Sequence, residues 1–173
     1  MKHITQLIAL GYIVIATSAF VAADSRSRPQ TPDQSWPLDS TDSTELRVHG
    51  NVSATNGVKG SSLVFDGNCL LKVKDSERLT GGESGFTLTA WVNPYRLSSG
   101  QQMIAAKNRY SLGERQWSVM IDKDNRFRLY VYQGSWVTAD SSAQPKPGHW
   151  HLVGVVVHPD SAELWVNGKM AGE

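Results

Sequence analysis

From residue 36 onward, apolar positions recur every second residue rather than every 3.6. Phe86-Thr87-Leu88-Thr89-Ala90-Trp91-Val92 places Phe86, Leu88, Ala90 and Val92 on one face. Arg126 to Tyr132 alternates more cleanly. Phe127, Leu129 and Val131 turn one way, and Arg126, Arg128, Tyr130 and Tyr132 turn the other. Ala162 to Val166 repeats the pattern, while Trp150 to Val157 is apolar on both faces, as in a central strand covered on both sides. Shorter strands are predicted at Leu46–Val48, Ser62–Phe65, Cys69–Val73, Met103–Ala106, Trp117–Ile121 and Ser135–Thr138. Between the runs stand Asp66-Gly67, Asp122-Lys123-Asp124-Asn125 and Asn167-Gly168. Asn, Asp and Gly tolerate positive φ and so close hairpins. Pro94, Pro145, Pro147 and Pro159 fall in connections, where a missing N–H costs least. No window has the period of an amphipathic helix, and no segment repeats. Many short antiparallel strands with frequent turn signals predict an all-β sandwich or barrel.

The first 35 residues follow other rules. Met1-Lys2-His3 is a short basic start, Ile4 to Phe20 is largely apolar and uncharged, and Val21-Ala22-Ala23 offers small residues before the polar Asp24-Ser25-Arg26. That order predicts a secretory signal peptide over residues 1–23, cleaved after Ala23. A retained membrane anchor is the rival reading, with an apolar run at the short limit for spanning a bilayer. Residues 24–35 are Ser, Arg, Pro, Gln, Thr and Asp, a flexible leader, so ordered sequence is expected from Trp36-Pro37-Leu38.

Composition narrows the classes of function. The 173 residues suffice for one domain plus targeting sequence. Apolar residues make up 40% and charged residues 19%, with 17 Lys and Arg against 16 Asp and Glu. Losing Lys2 with the leader leaves the mature chain near zero net charge. This balance argues against a protein that holds nucleic acid or an anionic membrane by charge, so no nucleic-acid partner and no membrane partner after cleavage is expected. The single Cys69 rules out an internal disulfide framework and a thiolate-rich zinc site. It reads as a buried small hydrophobe, with an intermolecular disulfide as the alternative. Asn51-Val52-Ser53 matches a glycosylation acceptor.

Five segments, in order, resemble the laminin G-like (LamG-like) branch of the concanavalin A-like lectin and glucanase superfamily. Trp36-Pro37-Leu38-Asp39 is similar to its opening strand, and Ser62-Leu63-Val64-Phe65-Asp66-Gly67 to its Phe-Asp-Gly strand and turn. Phe86 to Pro94 resembles its most recognisable strand. Pro147 to Gly154, then Leu164 to Lys169, resemble its Trp-His strand and Asn-Gly hairpin. The resemblance spans residues 36–173 and implies an antiparallel jelly-roll β-sandwich. It also implies a lectin-like module that binds a glycan or an extracellular protein, in the setting of an appendage to a longer glycan-processing enzyme. The family continues past this hairpin, so the last strands are expected to be missing: either the product is a fragment, or a short form survives with an unprotected edge.

Candidate chemistry is sparse. Glucanases need two carboxylates across the scissile bond, and no Glu-x-Asp-x-x-Glu occurs. Asp122 and Asp124 read as turn residues, and Arg126 blocks a calcium-loop reading. Rims in the resembled superfamily often carry calcium, which makes Asp39 and Asp66 the expected ligands of a structural calcium ion. His149, His151 and His158 lack the spacing of a zinc site. No nucleophile-elbow motif or phosphate loop appears, so the chain is not expected to be an enzyme. Trp91, Trp150 and Phe127 read as core. Tyr130, Tyr132 and Trp136 read as an aromatic shelf on one sheet face, against which sugar rings could stack, unless a neighbouring loop or sheet covers it.

Overall fold

The computed structural model describes residues 5–7, 13–16, 34–36, 38, 46–73, 85–109 and 113–173. Fifteen strands run through them. They are β1 (Thr5–Leu7), β2 (Ile13–Ala16), β3 (Gln34–Trp36), β4 (Leu46–His49), β5 (Ser53–Asn56), β6 (Ser61–Val64), β7 (Leu70–Val73) and β8 (Phe86–Val92). After these come β9 (Gln102–Arg109), β10 (Glu114–Ile121), β11 (Phe127–Tyr132), β12 (Trp136–Asp140), β13 (His151–Val157), β14 (Ala162–Val166) and β15 (Lys169–Gly172). The front sheet has the order β12-β11-β10-β9-β1-β7-β4 and the back sheet β15-β14-β13-β8-β2-β3, with β5-β6 as a separate hairpin. Every pairing is antiparallel. The result is the expected all-β sandwich, without a helix among the described residues.

The core lies between the sheets and follows the alternation of the sequence. From the back sheet come Phe86, Leu88, Ala90 and Val92 of β8, Val153, Val155 and Val157 of β13, and Leu164 of β14. From the front sheet come Trp117, Val119 and Ile121 of β10 and Phe127, Leu129 and Val131 of β11. The Phe86 and Trp117 rings meet across the gap with centroids 5.0 Å apart. As expected, β13 is central, paired to β8 on one side and β14 on the other.

Two aromatic assignments are corrected. Trp91 and Trp150 are only half-buried, and the tryptophans of the core are Trp36 and Trp117. Trp91 occupies the alternate position of β8, opposite Leu152, so the pleat points it away from the face of Ala90 and Val92. Trp150 precedes β13 at the rim. Phe127 is core as expected. β5 had no signal because Ser53-Ala54-Thr55-Asn56 is fully exposed and makes no alternation.

The Asn167-Gly168 hairpin forms as predicted, with φ of 52° and 76°, and carries the chain into β15. The amide of Ser142, just past β12, donates to the Ala171 carbonyl at 3.1 Å, tying the edges of the two sheets together. β14 is therefore flanked by β13 and β15. Residues 5–7 and 13–16 belong to the segment with the order of an export leader, and here they run as strands. β1 lies between β9 and β7, and β2 between β8 and β3. Removal of the leader would take both neighbours away.

The start of β8 is set by Gly85. Its φ is +66°, and a Cβ there would lie 2.1 Å from the Val157 carbonyl oxygen. Gly85→Ala is expected to strain the β8–β13 pair and cost at least about 2 kcal/mol. Equilibrium urea unfolding checks this, and an unchanged midpoint would contradict the placement.

Candidate functional site

The outward residues of β10, β11 and β12 form one surface on the front sheet. Inward Phe127, Leu129 and Val131 oblige Arg128, Tyr130 and Tyr132 to face out. Cross-strand register then sets Tyr132 opposite Trp136, Tyr130 opposite Thr138, and Arg128 opposite Asp140. The three shelf residues are thus brought together. Trp136 meets Tyr130 edge-on with centroids 6.0 Å apart and Tyr132 edge-on at 5.2 Å.

The three rings are not equivalent. The Arg115 guanidinium lies over the Tyr132 ring, 5.5 Å from its centroid, and Arg128 lies over Tyr130 at 5.8 Å. Each tyrosine therefore has a face engaged by a cation. Trp136 has neither of these covers and is half-exposed. The shelf reduces to one indole platform braced by two tyrosines.

A charged network fixes the tyrosine end. Asp122, 1% exposed, directly follows β10 and accepts from the Tyr130 hydroxyl at 2.8 Å, the Gln101 amide at 3.0 Å and the Lys123 backbone N–H at 2.8 Å. Arg128 pairs with Asp122, and its Nη2 reaches Asp124 and Asp140, each at 2.9 Å. Burial alone would raise the Asp122 pKa, but the Lys123 N–H, Tyr130, Gln101 and Arg128 outweigh it and hold the pKa at about 2. Burial pushes the Tyr130 phenol up, and the bond to Asp140 keeps Arg128 charged. The sequence showed Asp122 and Asp124 only as turn residues. Their meeting with Arg128, Tyr130 and Asp140 requires three strands in register, and nothing local signals it.

The other candidates stand apart. Asp66 lies on the rim beside a cleft of about 540 Å³, where its Oδ1 accepts the Asn68 N–H at 2.8 Å. That backbone bond is the main reason its pKa is lowered. Asp39 falls outside the described residues. Among the described residues no three His, Cys, Asp or Glu gather to hold a metal. His151 is 9% exposed, accepts the Lys146 N–H at 3.0 Å and packs edge-on against Phe127, all structural contacts. Cys69 is buried with a pKa raised by burial, which suits a packing role.

A family model described as the concanavalin A-like lectin/glucanases superfamily matches residues 65–173, more than half of the chain. No curated protein and no solved structure matches.

The Asp122 network makes a pH prediction. A carboxylate held at about 2, below its ordinary 3.8, stabilises the fold above about pH 4 and loses that contribution as pH falls toward 2. Asp122→Asn is expected to cost about 2 kcal/mol at neutral pH, with the gap to the parent narrowing between pH 4 and 2. Melting temperatures of both chains across that range check it. A gap independent of pH would mean that Asp122 is not held ionised by this network.

Proposed function

The chain belongs to the concanavalin A-like lectin/glucanases superfamily, and from that premise we propose that it is an exported, non-catalytic module that binds carbohydrate on the outer face of its front sheet. The Trp136 platform carries this reading. The apolar face of a pyranose ring stacks on an indole, and groups beside the ring bond the hydroxyls. Thr138 and Asp140 follow Trp136 on the same strand face, and Arg115 and Arg128 stand across it. Donors and acceptors of both kinds therefore border the ring.

What supports the non-catalytic part is the electrostatics of the carboxylates. A glycosidase acid must hold its proton near neutral pH, so its pKa is raised. Asp122 is pushed the opposite way, to about 2, and Arg128 bonds all three carboxylates of the cluster. Such a group can neither donate a proton nor act as a free nucleophile. Export is supported by the order of residues 1–23, and N-terminal sequencing of a secreted product starting at Asp24 tests that part.

Trp136→Ala is expected to weaken binding to soluble polysaccharide about tenfold, from a stacking contribution of roughly 1 kcal/mol or more. Tyr132→Ala is expected to weaken it less, since Tyr132 acts through Trp136. Calorimetric titration with β-glucan, xylan and galactomannan measures both. Unchanged affinity in both variants with the fold intact would remove this face as the site.

A further inference from the structure

The rim holds a second arrangement, unrelated in sequence to the shelf. Tyr95 follows Pro94 in the β8–β9 connection and is 70% exposed. It stands between two clefts. The larger, about 540 Å³, is walled by Phe65, Asp66, Arg96, Gln101 and Gln102 among others. The smaller, about 240 Å³, lies on the other side, against Asn56, Asn93 and Trp150. The larger cleft is within the roughly 300–1,000 Å³ range of small-molecule sites.

Its polar groups are matched to one kind of ligand. Asp66 offers an ionised carboxylate with Oδ1 already bonded to Asn68. Arg96 lies in the cleft wall, and among the described residues its guanidinium has no hydrogen bond or ion pair. Gln102 is anchored through Nε2 to the Arg96 carbonyl at 3.1 Å, and its Oε1 has no donor. One negative and one positive group cancel, so the cleft favours neither an anion nor a cation. A carboxylate and a guanidinium around an exposed phenol suit a neutral ligand rich in hydroxyls, which both donate and accept.

We propose that this cleft is a second carbohydrate subsite, taking a neutral sugar unit against Tyr95 with Asp66 and Arg96 on its hydroxyls. The inference rests on the carbohydrate reading above. Gln101 joins the two places: it lines the cleft and donates to Asp122 Oδ1, while Asp122 Oδ2 accepts from Tyr130, which packs edge-on with Trp136.

The test uses the full chain and its Tyr95→Ala, Arg96→Ala and Trp136→Ala variants. The side chains of Tyr95 and Arg96 are exposed, so both variants are expected to fold as the parent does. Each is titrated with β-glucan, xylan, galactomannan and, as a zwitterionic control, glycylglycine. The proposal expects Tyr95→Ala to weaken polysaccharide binding about fivefold and Arg96→Ala about threefold, with no binding of glycylglycine. If Trp136→Ala weakens binding while Tyr95→Ala and Arg96→Ala leave it unchanged, the subsite is overturned and the carbohydrate reading stands. If the parent chain binds none of the polysaccharides, the carbohydrate reading fails and the subsite with it. Glycylglycine binding that disappears in Tyr95→Ala and Arg96→Ala would overturn the proposal in favour of a peptide-terminus site.

Discussion

The shared core between the two sheets is the constraint from which everything else follows. Phe86 of the back sheet and Trp117 of the front sheet touch across it, and β11 inserts Phe127, Leu129 and Val131 beside them. Because a strand alternates with period two, seating these three residues leaves no freedom for their neighbours. Arg128, Tyr130 and Tyr132 must face outward. A slip of one residue in β11 would bury an arginine and two tyrosines and expose the core set. The outward aromatic surface is thus a by-product of the register that the core enforces.

Packing alone would leave those outward side chains loose, and the Asp122 network removes that freedom. A buried carboxylate is costly unless it is fully bonded, and Asp122 has an arginine, a phenol, an amide and a backbone N–H around it. In satisfying Asp122, Tyr130 and Arg128 are held in one arrangement, and Tyr130 and Tyr132 in turn pack against Trp136 in T-shaped pairs. Order passes from a charged centre to an aromatic surface. The same carboxylate bonds Gln101 on its other oxygen, so the rim cleft and the sheet face share one anchor.

How far the sequence reveals this depends on how local each signal is. β11 and β8 were legible because their alternation is complete within seven residues, and the Asn167-Gly168 hairpin because its positive φ values need those residue types. β5 was not, since Ser53-Ala54-Thr55-Asn56 buries nothing and pairs only with β6. Trp91 shows that residue type misleads where position decides: a large aromatic suggests core, but its place between Ala90 and Val92 sends it outward. The grouping of Tyr130, Tyr132 and Trp136 could be read because β11 and β12 are joined by a short turn. The Asp122 cluster and the exposed Tyr95 could not, because they depend on long-range register and on loop paths. Residues 5–7 and 13–16 carry two meanings at once. Their uncharged apolar run satisfies the order of an export leader, and the same residues satisfy two open strand positions. Both demands are met by a short apolar stretch, so hydropathy does not separate them.

The central claim is that carbohydrate meets this domain at Trp136, on the outer face of the front sheet. The six tryptophans report on different places: Trp36 and Trp117 in the core, Trp91 and Trp165 on the back sheet, Trp150 at the rim and Trp136 on the shelf. Indole N–H signals in a nitrogen-15 spectrum distinguish them during titration with a soluble polysaccharide that binds. The account predicts that the Trp136 signal shifts with ligand and saturates, while those of Trp36 and Trp117 hold still. Shifts confined to Trp91 and Trp165, with Trp136 unmoved, would place the ligand on the opposite sheet and contradict it.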